Sequence, residues 1–347
     1  MRSFADIPAT VERLLANRER QRVGVVLLDA FGRVFRERYA AHPFLRRLDV
    51  TDIAAQFPPT TTAHVTTMHT GRPVGEHGLY EWNIYEPTLD AVVVPIRHPD
   101  PRRFLVGDPI YQRLPVRSTV LQPAAFSPSA YDRVFAAGAR LDPFVTLREG
   151  VERFFDALAA GGYAYLYWDG IDATGHLHGP ASRAFDAAVR EALDTLERGM
   201  RAVPGALLLV TADHGQVVVD PARVDYLDEL WPDLPPLLAH GPAGSARDVF
   251  LHTVPGAAAE VAARLSERLG DSAQVRLVQD MVAEGMFGTV GPALEARLAD
   301  VCVLPAAPRT AWLRSDAGTP QTFRGHHGGL EGDETQTWVG ALELGYS

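Results

Sequence analysis

Apolar residues along this chain fall into two patterns. Short unbroken runs at Val23–Leu28, Tyr163–Tyr167 and Ala206–Val210 read as buried strands, and Val249–Leu251, Val275–Val278 and Val301–Leu304 as further, weaker ones. Longer stretches of helical character lie between them: Pro8–Arg20, Pro143–Ala160, Pro180–Ala202, Ala257–Leu269 and Pro292–Leu298. Fully apolar strands alternating with helices predict an α/β fold, a mostly parallel sheet with helices covering both faces. The stretch from 220 to 291 is punctuated by Pro and Gly and is less regular. It is expected to form a small cap or insertion within one domain spanning 1–347, since no low-complexity linker, block of like charge or clear repeat divides the chain.

Composition narrows the picture. At 347 residues, 46% hydrophobic and 22% charged, the chain is long enough for one large core and has an ordinary globular make-up. Its one cysteine, Cys302, lies in a late apolar run. That excludes a disulfide framework and a Cys-based zinc cluster, and argues against a sulfatase nucleophile made from cysteine. A net charge of −10 argues against a nucleic-acid polymer as partner, because such binding takes a basic surface. All 33 basic residues other than histidine are arginine, which we read as genomic base composition rather than a phosphate-binding design. No apolar run approaches the ~20 residues of a membrane span, and the N-terminal stretch Met1–Asp6 lacks the apolar core of a signal peptide. A cytoplasmic protein without a membrane partner is the expectation; nothing in the pattern bears on oligomeric state.

In open α/β sheets, functional groups gather just past the carboxyl ends of strands. Each of the three firm strands here runs into a carboxylate. Asp29 follows the first, Trp168-Asp169-Gly170-Ile171-Asp172-Ala173-Thr174-Gly175-His176 the second, and Thr211-Ala212-Asp213-His214-Gly215 the third. One aspartate at a strand end is ordinarily a turn or cap residue; three are harder to explain that way. Asp and His are natural ligands of divalent transition metals. Near the C-terminus, Gly325-His326-His327-Gly328-Gly329 places two more imidazoles in a glycine-rich turn. Asp29, Asp172 and Asp213 with His176, His214 and His327 make an inventory that suits two metals. Asp169, His77, His178 and His326 read as turn residues or neighbours. Trp82, Tyr85 and Trp168 read as core and rim, with an aromatic stacking wall as the alternative.

Between the first two strands, Pro58-Pro59-Thr60-Thr61-Thr62 opens a run that can be helical up to Gly71. Threonines at its start sit where free N–H groups and the helix dipole attract an anion. A threonine hydroxyl is a poor nucleophile unaided, and a metal lowers its pKa.

These motifs occur in the order Asp29, Phe57-Pro58-Pro59-Thr60-Thr61 through Thr70-Gly71-Arg72-Pro73-Val74-Gly75-Glu76-His77-Gly78, Asp172 to His176, Asp213-His214-Gly215, and Gly325 to Gly329. In that order the sequence resembles the alkaline phosphatase superfamily, and within it the short bacterial members of the type I phosphodiesterase/nucleotide pyrophosphatase family. The likeness runs from about residue 23 to 340. It implies an alkaline-phosphatase-like three-layer α/β/α sandwich and a hydrolase of phosphoric esters or anhydrides using two divalent ions, zinc by expectation and manganese as the alternative. It implies that Asp172, His176 and His327 hold one ion, and Asp29, Asp213 and His214 the other. Thr61, nine residues before Thr70, is implied as the nucleophile, with Thr60 and Thr62 as alternatives. The expected chemistry is in-line attack on a small phosphoester or nucleotide, through a phospho-threonine intermediate. His64, three residues past Thr61, stands where the resemblance implies a contact to a phosphoryl oxygen and is the candidate substrate-binding residue. No motif-borne arginine supplies the extra cation that favours a dianionic monoester, so a diester is the expected substrate. A phosphomonoesterase, a phosphonate hydrolase, a phosphomutase and a catalytically silent binding protein are the alternatives.

Overall fold

In the computed structural model of the chain, which describes residues 1–16, 22–314 and 322–345, the three firm apolar runs form the middle of a seven-stranded sheet. From edge to edge its strands are Asp49–Ala54, Gln336–Leu344, Ala206–Thr211, Arg22–Leu28, Gly162–Trp168, Ser118–Leu121 and Arg140–Leu141. Arg22–Leu28 pairs in parallel with both Gly162–Trp168 and Ala206–Thr211, and the two strands beyond Gly162–Trp168 continue the parallel run. Gln336–Leu344 is antiparallel to both its neighbours. Because side chains alternate across a strand, the central strand is buried on both sides. Val26 and Leu28 join the core under helices Leu147–Ala159 and Arg183–Gly199. Val23, Val25 and Leu27 join the core under Asp6–Ala16 and Thr61–Thr70. The result is the expected three-layer α/β/α arrangement.

Several element bounds differ from the sequence reading for local reasons. The helix expected from Pro143 starts at Leu147, because the Thr146 side chain caps it by accepting from the Glu149 N–H. The one expected from Pro180 starts at Arg183, capped by Ser182 accepting from the Phe185 N–H. The first helix spans Asp6–Ala16; the part of the expected Pro8–Arg20 helix beyond Ala16 lies outside the described residues. The run Val275–Val278 divides into the strand Ala273–Leu277 and the start of a short helix, Val278–Ala283. Pro292–Leu298 shortens to Pro292–Glu295. The strands Asp49–Ala54, Ser118–Leu121 and Gln336–Leu344 were not foreseen. Asp49–Ala54 is an edge strand with mostly exposed side chains, so it carries no apolar run to betray it.

A second sheet, antiparallel and four-stranded, is ordered Ala243–Ser245, Asp248–Leu251, Val301–Pro305, Ala273–Leu277. Helix Ala258–Leu269 packs its Val261, Leu265 and Leu269 against Val249, Leu251, Val301 and Val303 of that sheet. The stretch 220–291 thus supplies three of these strands, and Val301–Pro305 completes them. Cys302 is buried there. Among the described residues, no helix is long and apolar enough to cross a membrane.

Candidate active site

The helix Thr61–Thr70 is the least ordinary element of the fold. Every residue from Thr62 to Thr70 is buried, although six of these nine are Thr or His. Burial of polar side chains is tolerable only when they find partners. Here Thr66 pairs with the Tyr131 hydroxyl at 2.7 Å, His69 with the Tyr111 hydroxyl at 2.7 Å, and the Thr70 hydroxyl donates to the Thr66 carbonyl at 2.8 Å. The Gln56 amide donates to the Thr67 hydroxyl at 2.8 Å, and His77 Nε2 lies 3.0 Å from the same oxygen. Gly71 ends the helix at φ 69°, the left-handed conformation glycine adopts without strain. These bonds hold the second half of the helix; its start meets the carboxyl end of Arg22–Leu28 where the Thr61 hydroxyl faces Asp29.

Two groups of potential ligands converge there: Asp172, His176 and His327, and Asp29, Asp213 and His214. Within each group the ligand atoms lie within 4.8 Å of one another. In the first, His176 Nε2 is 3.3 Å from Asp172 Oδ2 and His327 Nε2 is 3.7 Å from Asp172 Oδ1. In the second, His214 Nε2 is 3.5 Å from both Asp29 Oδ1 and Asp213 Oδ2. Ligands about 2.1 Å from a tetrahedral ion stand about 3.4 Å apart, so both groups match the spacing an ion needs. The groups adjoin, since the His214 and His327 rings stack at 3.8 Å.

The tautomers and charges fit a metal as well. Each imidazole turns Nδ1 towards a backbone carbonyl: His176 to Gly325 at 2.8 Å, His327 to Pro59 at 3.0 Å, His214 to Gly215 at 3.1 Å. An Nδ1–H donating to a carbonyl leaves the Nε2 lone pair aimed into the site. Burial raises the Asp29 carboxyl well above its ordinary pKa, and the charges of Asp213 and Asp172 push it further. Asp213 is raised too, chiefly by burial. Its Oδ1 accepts from the Ala30 and His214 N–H groups, both at 3.0 Å. Its buried Oδ2 has no hydrogen-bond partner among the described residues. For Asp172, burial acts upward but the His176 imidazole, then His214 and last the Gln216 amide, outweigh it, and the carboxyl is lowered. Two buried carboxylates, Asp29 and Asp213, with half-buried Asp172 beside them and an orphaned oxygen, are what a cation would relieve.

Of the three threonines, Thr61 has its Oγ1 3.2 Å from both Asp29 oxygens and 3.2 Å from His214 Nε2. Thr60 instead donates to the Tyr80 carbonyl at 3.2 Å, and Thr62 Oγ1 is buried without a partner among the described residues. His64 is not presented to this site as the sequence reading expected. It is buried, its Nδ1 faces the Thr60 carbonyl at 2.7 Å, and its Nε2 accepts from the Gln56 N–H at 2.9 Å. Both ring nitrogens are thus committed to backbone, and burial lowers its pKa to about 3. The ring braces the turn behind Thr61 and has no donor left for a phosphoryl oxygen. Two contacts escaped the sequence reading. The Tyr167 hydroxyl donates to Asp29, and Gln216 donates to Asp172. Tyr167 ends an apolar run and read as core; Gln216 directly follows Asp213-His214-Gly215, which was the available signal. The aromatic residues separate: Trp168 packs on Phe144, Tyr85 stacks on His240, and Arg97 covers Trp82.

This fold with this site defines a hydrolase of phosphoester and related bonds in the alkaline phosphatase superfamily, with a candidate metal-binding cluster at its centre. More narrowly, the chain belongs to the type I phosphodiesterase/nucleotide pyrophosphatase family, which matches residues 23–330. No curated protein matches it by sequence. Among solved structures, murine ectonucleotide pyrophosphatase/phosphodiesterase 5 superposes with a TM-score of 0.70 at 18% identity, covering 92% of this chain and 88% of its own. The human protein of that name gives 0.71 at 16% identity, covering 92% and 87%. Phosphonoacetate hydrolase from Sinorhizobium meliloti 1021, in complex with phosphonoacetate, gives 0.65 at 16% identity, covering 92% and 90%. An inactive threonine-to-alanine variant of the murine protein is described in complex with AMP. At these identities the likeness is one of fold.

Proposed function

We propose that this chain is a two-metal phosphodiesterase or nucleotide pyrophosphatase that works through Thr61. The observation that carries the reading is the Thr61 hydroxyl, 3.2 Å from Asp29 and from His214 at the start of a buried helix. The inactive threonine variant of the murine protein and its AMP complex support a threonine nucleophile and a nucleotide-sized substrate. Asp172, His176 and His327 would hold one ion, and Asp29, Asp213 and His214 the other, with zinc suiting the mixed Asp/His donors. When bound, the ions supply the positive charge that lowers the hydroxyl pKa and offsets the phosphoryl charge.

The chain's own groups do the rest. Thr61 Oγ1 attacks phosphorus in line; the new O–P bond forms as the bond to the leaving oxygen breaks, and the hydroxyl proton is given up to water. The free N–H groups of the first helical turn, beside Thr61, are available to donate to the phosphoryl oxygens. Water then cleaves the phospho-threonine, returning the hydroxyl. We read the chain as one catalytic domain, with the four-stranded sheet as its insertion.

The test compares turnover of bis-p-nitrophenyl phosphate with that of p-nitrophenyl phosphate on zinc-loaded protein, with and without chelator. Chelator-sensitive preference for the diester is expected. Preference for the monoester would move the function to a phosphatase. Thr61→Ala should lose about 10³-fold or more in turnover, as removal of a nucleophile does, with unchanged zinc content. Near-normal activity in that variant would overturn the nucleophile.

A further inference from the structure

We propose that Gln216 is a positioning residue that fixes Asp172 for its ion, so that the turn after the Ala206–Thr211 strand serves both metal groups at once. The inference rests on the two-ion reading above. Gln216 is 1% exposed. Its Nε2 donates to the Asp172 backbone carbonyl at 3.1 Å and to Asp172 Oδ1. Both partners are acceptors, which sets the orientation of the amide. One NH2 group spans the main chain and the carboxylate of the same residue, so it fixes the side-chain torsions of Asp172. Oδ2 is left turned to His176 at 3.3 Å.

The seat for this amide is cut by two motif glycines. A Cβ on Gly175 would fall 1.9 Å from Gln216 Oε1, and one on Gly325 would fall 2.9 Å from it. Gly175 belongs to the Asp172–His176 motif and Gly325 opens the His326-His327 turn, so three separate motifs close around one side chain. Oε1 itself has no partner among the described residues; the amide is kept by its contact with Asp172 and by shape. Gln216 lies two residues beyond His214. Asp213 and His214 thus face one ion while the same turn clamps the carboxylate of the other. Outer hydrogen bonds of this kind are worth about 10–100-fold in metal affinity.

The experiment titrates zinc into metal-free protein against a competing chelator, for the wild type, Gln216→Met and Gln216→Glu. Asp172→Asn identifies which binding step belongs to the Asp172 group. The wild type should take two equivalents. Gln216→Met, which keeps length but loses the donor, should weaken the Asp172 step by about 10–100-fold and leave the other step unchanged. Gln216→Glu, which also cannot donate from an ionised carboxylate, should weaken the same step. Unchanged affinity at both steps in Gln216→Met would overturn the inference. So would equal weakening of both steps with a lower Tm of the metal-free protein, which would mark a purely structural role. Fewer than two equivalents bound by the wild type would instead overturn the two-ion reading beneath it.

Discussion

Arg247→Met should destabilise the protein through a contact between the turn joining Ala243–Ser245 to Asp248–Leu251 and the segment just before Gln336–Leu344. Arg247 and Glu334 are both fully buried. Arg247 donates from Nε to Glu334 Oε1 at 3.1 Å and from Nη2 to Oε2 at 2.8 Å. Its Nη1 reaches the Pro305 carbonyl at 2.6 Å and the Arg309 carbonyl at 2.9 Å. Glu334 in turn accepts from the Gly329 N–H at 2.9 Å, two residues past His327. The pair therefore ties the second sheet to the loop that carries a candidate ligand. Breaking a buried pair from one side costs about 3–5 kcal/mol, because the remaining charge stays buried. Glu334 keeps two backbone donors, Gly329 and Glu331, which places the cost near the lower end, about 3 kcal/mol. For a chain of this size that is a Tm lower by about 4 °C. Adding Glu334→Gln removes the stranded charge and should recover about 1–2 kcal/mol. The measurement is urea unfolding of the metal-free protein, so that ion binding does not contribute. A loss under about 1 kcal/mol for Arg247→Met, with no recovery in the double variant, would refute the anchoring role; surface pairs give values in that range.

Two further outcomes are expected. His77 is buried and its pKa is lowered to about 3, chiefly by burial, so unfolding takes up a proton as pH falls below the ordinary histidine value near 6.5. Its contribution is complete above that pH and is lost at about 1.4 kcal/mol per pH unit as pH falls towards 3. Urea midpoints at pH 4, 5 and 6 should show a shallower slope for His77→Gln than for the wild type, and identical slopes would contradict a neutral buried ring. At Gly215, an added Cβ would lie 2.0 Å from the Asp333 carbonyl. Gly215→Ala should cost about 1–3 kcal/mol and weaken zinc binding by shifting Asp213 and His214; a wild-type Tm and zinc affinity would show that the turn has room.

What the sequence determined by itself is what short-range pattern encodes. The unbroken runs at Val23–Leu28, Tyr163–Tyr167 and Ala206–Val210 could be satisfied only between two layers, and the carboxylates directly after them had to lie along one edge of a parallel sheet. The spacing of apolar residues also revealed the helices Leu147–Ala159, Arg183–Gly199 and Ala258–Leu269, each of which buries one face. Thr61–Thr70 gives no such signal. From Thr62 on its residues are buried on every side, and Tyr111, Tyr131, Gln56 and His77, brought in from elsewhere, help make that polar helix tenable. The placing of Gln336–Leu344 between Ala206–Thr211 and Asp49–Ala54 depends on pairing between distant segments, which no local period records. His64 shows the same limit at one residue. Its position in the sequence suggested a role towards substrate, while the neighbouring backbone of Thr60 and Gln56 claimed both of its nitrogens. Residue type and order supplied the chemistry of the candidate site; the direction in which each polar atom points was decided by partners from other parts of the chain, because a buried donor or acceptor must be paired wherever the fold offers a partner.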